Sequence, residues 1–303
     1  MAASSPRSST PQKSIADGPF AAHGALLVVQ VLFGLWPVIG IIALRSLTPP
    51  ALVGVRLAAG APILAIAAGL HRRPLPSRAD LLRLAGLAAL GISINQLLFV
   101  QGLAHAGHIH ASVLGLLIPP FTVGIAAILG REHPSRLKLL GLAVSVLGAA
   151  ILVRPDRLSL SRETALGDAF LVCNTAAYSA YLVLARGPIA RLGAMTTIAW
   201  VMVLGAIEAA PFVAIPLYRV HWLSLDRSVV LSLVFVVIGP TVLTYLLNAF
   251  ALTRVPASVV AIYCALQPLV AATAGIVLLD SHPTRDTALA AAVLVVGLLM
   301  ATR

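Results

Sequence analysis

The sequence predicts an all-α integral membrane protein, with ten transmembrane helices in two inverted five-helix repeats. Three observations carry this reading. Hydrophobic residues make up 59% of the 303-residue chain and charged residues only 10%. A soluble domain carries roughly 25% charged residues, and no soluble fold of this size hides so much apolar surface. Apolar runs of membrane-spanning length succeed one another along the chain, with short turn-forming breaks between them. One stretch also recurs: ASVLGLLIPPFTVGIAAILGREHP at 111–134 is echoed by ASVVAIYCALQPLVAATAGIVLLDSHP at 257–283. Both copies open with Ala-Ser-Val, and Pro119 precedes Pro134 by the same separation as Pro268 precedes Pro283. A repeat of about 150 residues implies two halves of one design.

Taken in order, residues 1–22 are rich in Ser, Pro and Ala and read as a disordered tail. The next apolar run is too long for a signal peptide and lacks a convincing cleavage site, so it is the first span. A span needs about 20 apolar residues. The ten runs are 24–44, 50–70, 81–103, 111–130, 136–153, 166–185, 195–215, 228–249, 257–279 and 286–302. The breaks carry turn chemistry, as in Thr48-Pro49-Pro50, His71-Arg72-Arg73-Pro74 and Arg154-Pro155-Asp156. The longest break, 154–165, separates a first repeat at 23–153 from a second at 166–303. Helices are predicted because a backbone in lipid must satisfy its own polar groups, and the strand-like alternation of a barrel is absent.

The net charge of +11 comes from basic residues placed between apolar runs. It reads as topology control, not as nucleic-acid binding. With the N-terminus inside, the first half puts Arg7, Lys13, Arg72, Arg73, Arg78, Arg83, Arg131, Arg136 and Lys138 inside, against Arg45 outside. Both termini are therefore expected in the cytoplasm. Five spans is an odd number, so the second half enters the membrane upside down. Inverted repeats mark secondary transporters, whose site lies near the bilayer midplane between the repeats.

Prolines inside spans remove a backbone donor and free a carbonyl. The matched pair, Pro119 and Pro268, is expected to kink two cavity-lining helices. Polar residues fall into stripes of helical spacing: Asn174, Tyr178 and Tyr181; Thr241, Tyr245 and Asn248; Tyr263 and Gln267. Asn95 and Gln96 add a polar pair in the third span. Such residues face the bundle interior, either as glue between helices or as the lining of a wet cavity. Several stripes together favour a cavity. Arg56 and Glu208 are charges within spans, both read as off-centre. Glu208 is the candidate for proton coupling.

Cys173 and Cys264 lie in apolar runs and read as small packing residues. His105, His108 and His110 match no metal-site spacing and read as a solvated connection, so neither metal nor cofactor is expected. Phosphate-binding loops, nucleophile elbows and zinc-protease motifs are missing, which argues against an enzyme. The small-residue face of Gly141, Ser145 and Gly148 is suited to packing against another subunit, leaving monomer or homodimer open.

The stretches FGLWPVIG (33–40), RLAAGAP (56–62), GISINQLLFVQGLAHAGHIHASVLGLLIPPF (91–121), GRE with HPSR (130–136) and LGDAF (166–170) resemble the drug/metabolite transporter superfamily, EamA type. The resemblance covers about residues 25–302. It implies ten helices in two inverted repeats, cytoplasmic termini, export of small metabolites, and fifth and tenth helices set away from the cavity. Two departures stand out. Trp36 follows Gly34 by two residues, and the second repeat ends in Leu279-Asp280-Ser281 where the family pattern has Gly-Glu.

The expected function is export of small organic metabolites across a bacterial inner membrane by alternating access, amino acids first, aromatic ones included. The expected cavity residues are Trp36, Asn95, Gln96, Asn174, Tyr178, Tyr245, Asn248, Tyr263 and Gln267. Alternatives are a carrier of drugs or cationic toxicants, or of phosphorylated sugar metabolites. A membrane enzyme ranks below these.

Overall fold

The computed structural model describes residues 19–70, 75–153, 162–279 and 285–301. Among these residues there are helices and no strands. Counting segments joined through a π or 3-10 turn as one, the helices are α1 (Pro19–Leu44), α2 (Pro49–Ala67), α3 (Arg78–His108), α4 (His110–Ile128) and α5 (Arg136–Val153) in the first half. The second half has α6 (Arg162–Leu192), α7 (Ala194–Tyr218), α8 (Arg227–Leu252), α9 (Ala257–Ile262, continuing through Tyr263–Leu266 into Gln267–Leu279) and α10 (Arg285–Ala301).

Eight of these, α1 to α4 and α6 to α9, are long and apolar enough to cross a membrane. The chain is a multi-pass membrane protein. The expected fifth and tenth spans are helices too, but α5 and α10 hold 18 and 17 residues and are not among the eight. The helical part begins earlier than expected, at Pro19, while the tail at 1–18 lies outside the described residues. Within the expected loop 154–165, residues 162–165 already belong to α6, and 154–161 lie outside the described residues.

Helix starts obey local chemistry. Pro49 and Pro50 open α2, where a missing N–H costs nothing. Ser77 opens α3, its hydroxyl accepting the Asp80 N–H at 3.2 Å. The outer surface is apolar, with Ile66, Leu82, Ile128, Ile207 and Phe212 well exposed, as lipid requires.

Packing repeats between the halves. Helix α1 lies against α8 and α9, and α6 lies against α3 and α4. The pairs α2·α7, α4·α9 and α5·α10 complete the framework. Exchanging each helix for the one five along leaves these pairings unchanged. The small-residue face of α5, suited to packing against another helix, meets α10 within the chain: a Cβ on Gly297 of α10 would lie 2.5 Å from Ser145 Oγ and 2.9 Å from the Gly141 carbonyl. Small residues let two backbones approach, and here α10 takes the opening.

The breaks inside helices also occur in pairs. In α4 the 3-10 turn Gly115–Leu117 leads into Ile118, Pro119 and Pro120. Pro119 has no N–H for the Gly115 carbonyl, and the Ile118 N–H takes that acceptor instead. In α9 the 3-10 turn Tyr263–Leu266 leads into Gln267 and Pro268. The Gln267 N–H takes the Cys264 carbonyl that Pro268 cannot reach. Helices α3 and α8 contain π turns, Ala89–Ser93 and Val237–Leu243. In each, a hydroxyl reaches the carbonyl five residues back: Ser93 to Ala88 at 3.4 Å, Thr241 to Val236 at 2.7 Å.

Candidate functional site

A cavity lies between the two halves, lined from α1, α2, α3, α4, α6, α8 and α9. Among the described residues, neither α5 nor α10 contributes to it. Of the residues expected to line it, Trp36, Asn95, Asn174, Tyr178, Tyr245 and Gln267 are brought together. Phe33, Phe99, Thr175 and Arg56 join them. The cavity volume is about 70 Å³. Ligand pockets usually span ~300–1,000 Å³, so the cavity is small.

Aromatic rings form much of the wall. Trp36 stacks on Phe99 with centroids 5.7 Å apart, and Phe33 meets Tyr178 edge-on at 6.2 Å. Tyr178 stacks on Tyr181, which meets Tyr245 at 6.3 Å. The Tyr245 hydroxyl donates to the Gly91 carbonyl at 2.6 Å, inside the α3 π turn. The ring is thereby fixed to the irregular backbone that frames the cavity.

The amides join helices as well as line the cavity. Asn174 Nδ2 donates to the Asn95 carbonyl at 2.8 Å, and Asn95 Nδ2 returns a longer bond of 3.5 Å to the Asn174 carbonyl. This reciprocal pair clamps α3 to α6. Gln267 Nε2 donates to Gln30 Oε1 at 2.8 Å, joining α9 to α1.

Three expected cavity residues stand outside the lining. Asn248 Nδ2 donates to the Tyr178 hydroxyl at 2.8 Å, supporting the wall from behind. Gln96 is buried next to Tyr245. Tyr263 pairs its hydroxyl with His23 Nδ1 at 2.7 Å, on the far side of the 3-10 turn from Gln267. Pro119 and Pro268 come directly after the two 3-10 turns, and Ile118, just before Pro119, lines the cavity.

Arg56, read from the sequence as off-centre, is in the cavity wall. It is only 3% exposed. Its guanidinium lies 4.6 Å from the centroid of Trp36. Nε donates to Thr241 Oγ1 at 2.9 Å, and Nη2 makes a long contact of 3.4 Å with the Pro240 carbonyl. A long side chain carries its charge away from its Cα, so depth along α2 misplaces the head group. Glu208 lies outside the lining and is half-buried. Its Oε2 accepts from the Ser93 hydroxyl at 2.7 Å.

Other polar contacts hold helix ends. Glu132, just past α4, accepts from Lys138 at 3.2 Å, from the Ser258 N–H at 3.3 Å and from the Ser258 hydroxyl. It thus caps the start of α9. The signal for Ser258 was in the repeated Ala-Ser-Val, though nothing in it named the partner. The histidine connection is not the expected solvated loop. His105 and His108 lie in α3, Gly107 (φ 80) bends the chain, and His110 in α4 pairs Nδ1 with Asp168 Oδ1 at 2.7 Å.

Known proteins share this architecture. The model of the EamA-like transporter family matches the chain twice, over residues 21–154 and 165–303. Two proteins of Archaeoglobus fulgidus, each described as an uncharacterized transporter, are 25% identical to it. Each match covers 86% of this chain, and 91% and 90% of the respective relatives. A solved crystal structure shares the fold with a TM-score of 0.72, at 20% identity, covering 92% of this chain and 98% of that one. Two family matches that together take in nearly the whole described chain, on a helical membrane fold with a central polar cavity, lead to one conclusion: this protein belongs to the EamA-like transporter family, within the drug/metabolite transporter superfamily.

Proposed function

We propose that this protein exports small organic metabolites, amino acids first, by alternating access. In this reading ten helices cross a bacterial inner membrane as two inverted five-helix repeats with both termini in the cytoplasm. The observation that carries the proposal is the small cavity between the halves, walled by aromatic rings and amides. Rings accept an apolar side chain, and amides accept and donate to amino and carboxyl groups. Support for the inverted repeat comes from the packing pairs, which persist when each helix is exchanged for its counterpart, and from the paired π and 3-10 breaks. Irregular backbone at membrane depth is found where it lines a cavity.

The substrate site comprises Trp36, Asn95, Asn174, Tyr178, Tyr245 and Gln267, with Gln96, Asn248 and Tyr263 behind it. The halves rock, and the cavity expands on one side at a time. Glu208 takes the coupling proton. A cationic drug fits less well, because the lining has no Asp or Glu among the described residues.

The test is counterflow in proteoliposomes against a panel of amino acids. Tyr178→Ala and Gln267→Ala should each cut exchange by about tenfold or more, the equivalent of about 1.4 kcal/mol. Wild-type exchange in both variants, with protein present in the vesicles, would remove the site assignment.

A further inference from the structure

We infer that Arg56 is the carboxylate-binding residue of this cavity, and that the cargo is a monoanionic or zwitterionic carboxylate. This assignment rests on the transport reading and narrows its substrate class. The argument begins with an uncompensated charge. Arg56 is buried in the wall, its partners are the Thr241 hydroxyl, the Pro240 carbonyl and the Trp36 ring, and among the described residues it forms no ion pair. All three partners are neutral. A buried cation is stable when paired with an anion and hydrogen-bonded, and here only the hydrogen bonds are supplied by the protein.

Among the described residues the rest of the lining contains no Asp, Glu, Lys or His, so Arg56 sets the sign of the cavity. A guanidinium has five N–H donors in a plane, matched to two carboxylate oxygens. Nε is committed to Thr241, which orients that plane and leaves the Nη edge to a ligand. One guanidinium neutralises one negative charge. A phosphate monoester would bring a second charge for which the lining has no partner.

The Asn95 and Asn174 nitrogens are committed to each other's backbone carbonyls. Their oxygens are then the atoms left to accept from an ammonium. This suits an amino acid, whose ammonium meets neutral acceptors while its carboxylate meets Arg56.

The experiment uses the purified full-length protein in detergent and reads thermal unfolding with three probes of matched ring size: benzoate, benzylammonium and phenyl phosphate. Benzoate should raise the midpoint of the wild type by several degrees, more than phenyl phosphate does, and benzylammonium should not. Arg56→Gln should abolish the benzoate shift. Arg56→Lys, which keeps the charge and loses the planar fork, should retain a smaller one. Thr241→Val keeps the charge and loses the tether that orients it, so it should retain a reduced shift even if ligand-free stability falls. That variant guards against a merely structural effect of Arg56→Gln.

The assignment is overturned if benzoate fails to shift the wild type, if Arg56→Gln keeps the shift, or if phenyl phosphate or benzylammonium stabilises more than benzoate. The transport reading fails separately. If benzoate binds through Arg56 but neither amino acids nor benzoate exchange across vesicles, the carboxylate site stands and transport does not. If amino acids exchange while Arg56→Gln keeps the benzoate shift, transport stands and this assignment falls.

Discussion

Helices α2 and α7 occupy corresponding places in the two halves, and each holds a charge against the π turn of a neighbour. On α2, Arg56 donates to Thr241 in the α8 turn; on α7, Glu208 accepts from Ser93 in the α3 turn. The helices come close because glycines admit them. A Cβ on Gly60 would lie 2.8 Å from the Thr241 methyl, and one on Gly205 would lie 2.5 Å from Ile92. The scaffold is the same but the sign is reversed. A hydroxyl both donates and accepts, so either charge can hold a turn. Holding the turn therefore does not dictate the sign. The two residues differ in their surroundings: Arg56 faces the cavity, whereas Glu208 is half-buried outside it.

The largest expected effect tests that separation. Arg56→Gln should reduce amino-acid counterflow by about 100-fold, because losing one partner of a desolvated charge pair costs about 2–5 kcal/mol. Glu208→Gln keeps an acceptor for Ser93 and leaves the cavity charge alone. It should retain counterflow within about twofold, since exchange needs no net coupling, while losing acceleration by an imposed pH gradient. Initial rates in vesicles with and without the gradient measure both. The reverse pattern would mean that the half-buried acid, not the cavity cation, contacts cargo.

Next in size is Thr241→Val. Its hydroxyl accepts from Arg56 and donates to the Val236 carbonyl that Pro240 leaves without its usual helical donor. Removing it leaves the Arg56 Nε without its partner and takes one donor from the Val236 carbonyl. Polar contacts in membrane bundles average about 0.6 kcal/mol and reach about 1.7 kcal/mol. The two-sided loss should fall at the upper end, about 1.5 kcal/mol, read as a lower unfolding midpoint in a mild denaturing detergent.

The helical rods were legible in the sequence because lipid imposes one strong signal, runs of apolar residues between short polar breaks. The paired 3-10 breaks were legible because Pro119 and Pro268 carry them in covalent form. The cavity was less so, and particular residues show why. Neighbours on a helix are about 100° apart, so Asn95 and Gln96 could not both face inward. A π turn inserts a residue and rotates the remainder of the helix. The α3 turn has no proline, so nothing in the local sequence announced it. The 3-10 turn of α9 likewise separates Tyr263 from Gln267, breaking a stripe that an ideal helix would keep. Arg56 was misplaced because its head group lies far from its Cα. Glu132 was silent in the sequence, since its partner Ser258 is distant along the chain and meets it only after folding.

The smallest expected effect comes from that unannounced turn. In α8, Pro240 has no N–H, so an unbroken α-helical ladder is impossible through the turn whatever its neighbours do. In α3 all residues of Ala89–Ser93 have an N–H, and the π geometry depends on contacts: Ser93 with Ala88 and Glu208, and Tyr245 with the Gly91 carbonyl. The first of these is long, at 3.4 Å. Ser93→Ala should therefore cost only about 0.6 kcal/mol of stability. Its larger signature should be local. Amide exchange should accelerate around 89–94 by about threefold, because weakening a contact-held turn eases local opening. Thr241→Val should leave the exchange pattern around 237–244 nearly unchanged despite its greater cost, since proline enforces that break. If both turns respond alike, the difference between a turn held by contacts and one held by covalent geometry has no consequence here. If α3 alone loosens, it is the half of the framework able to change its winding, and the acid bonded to it through Ser93 is placed to govern that change.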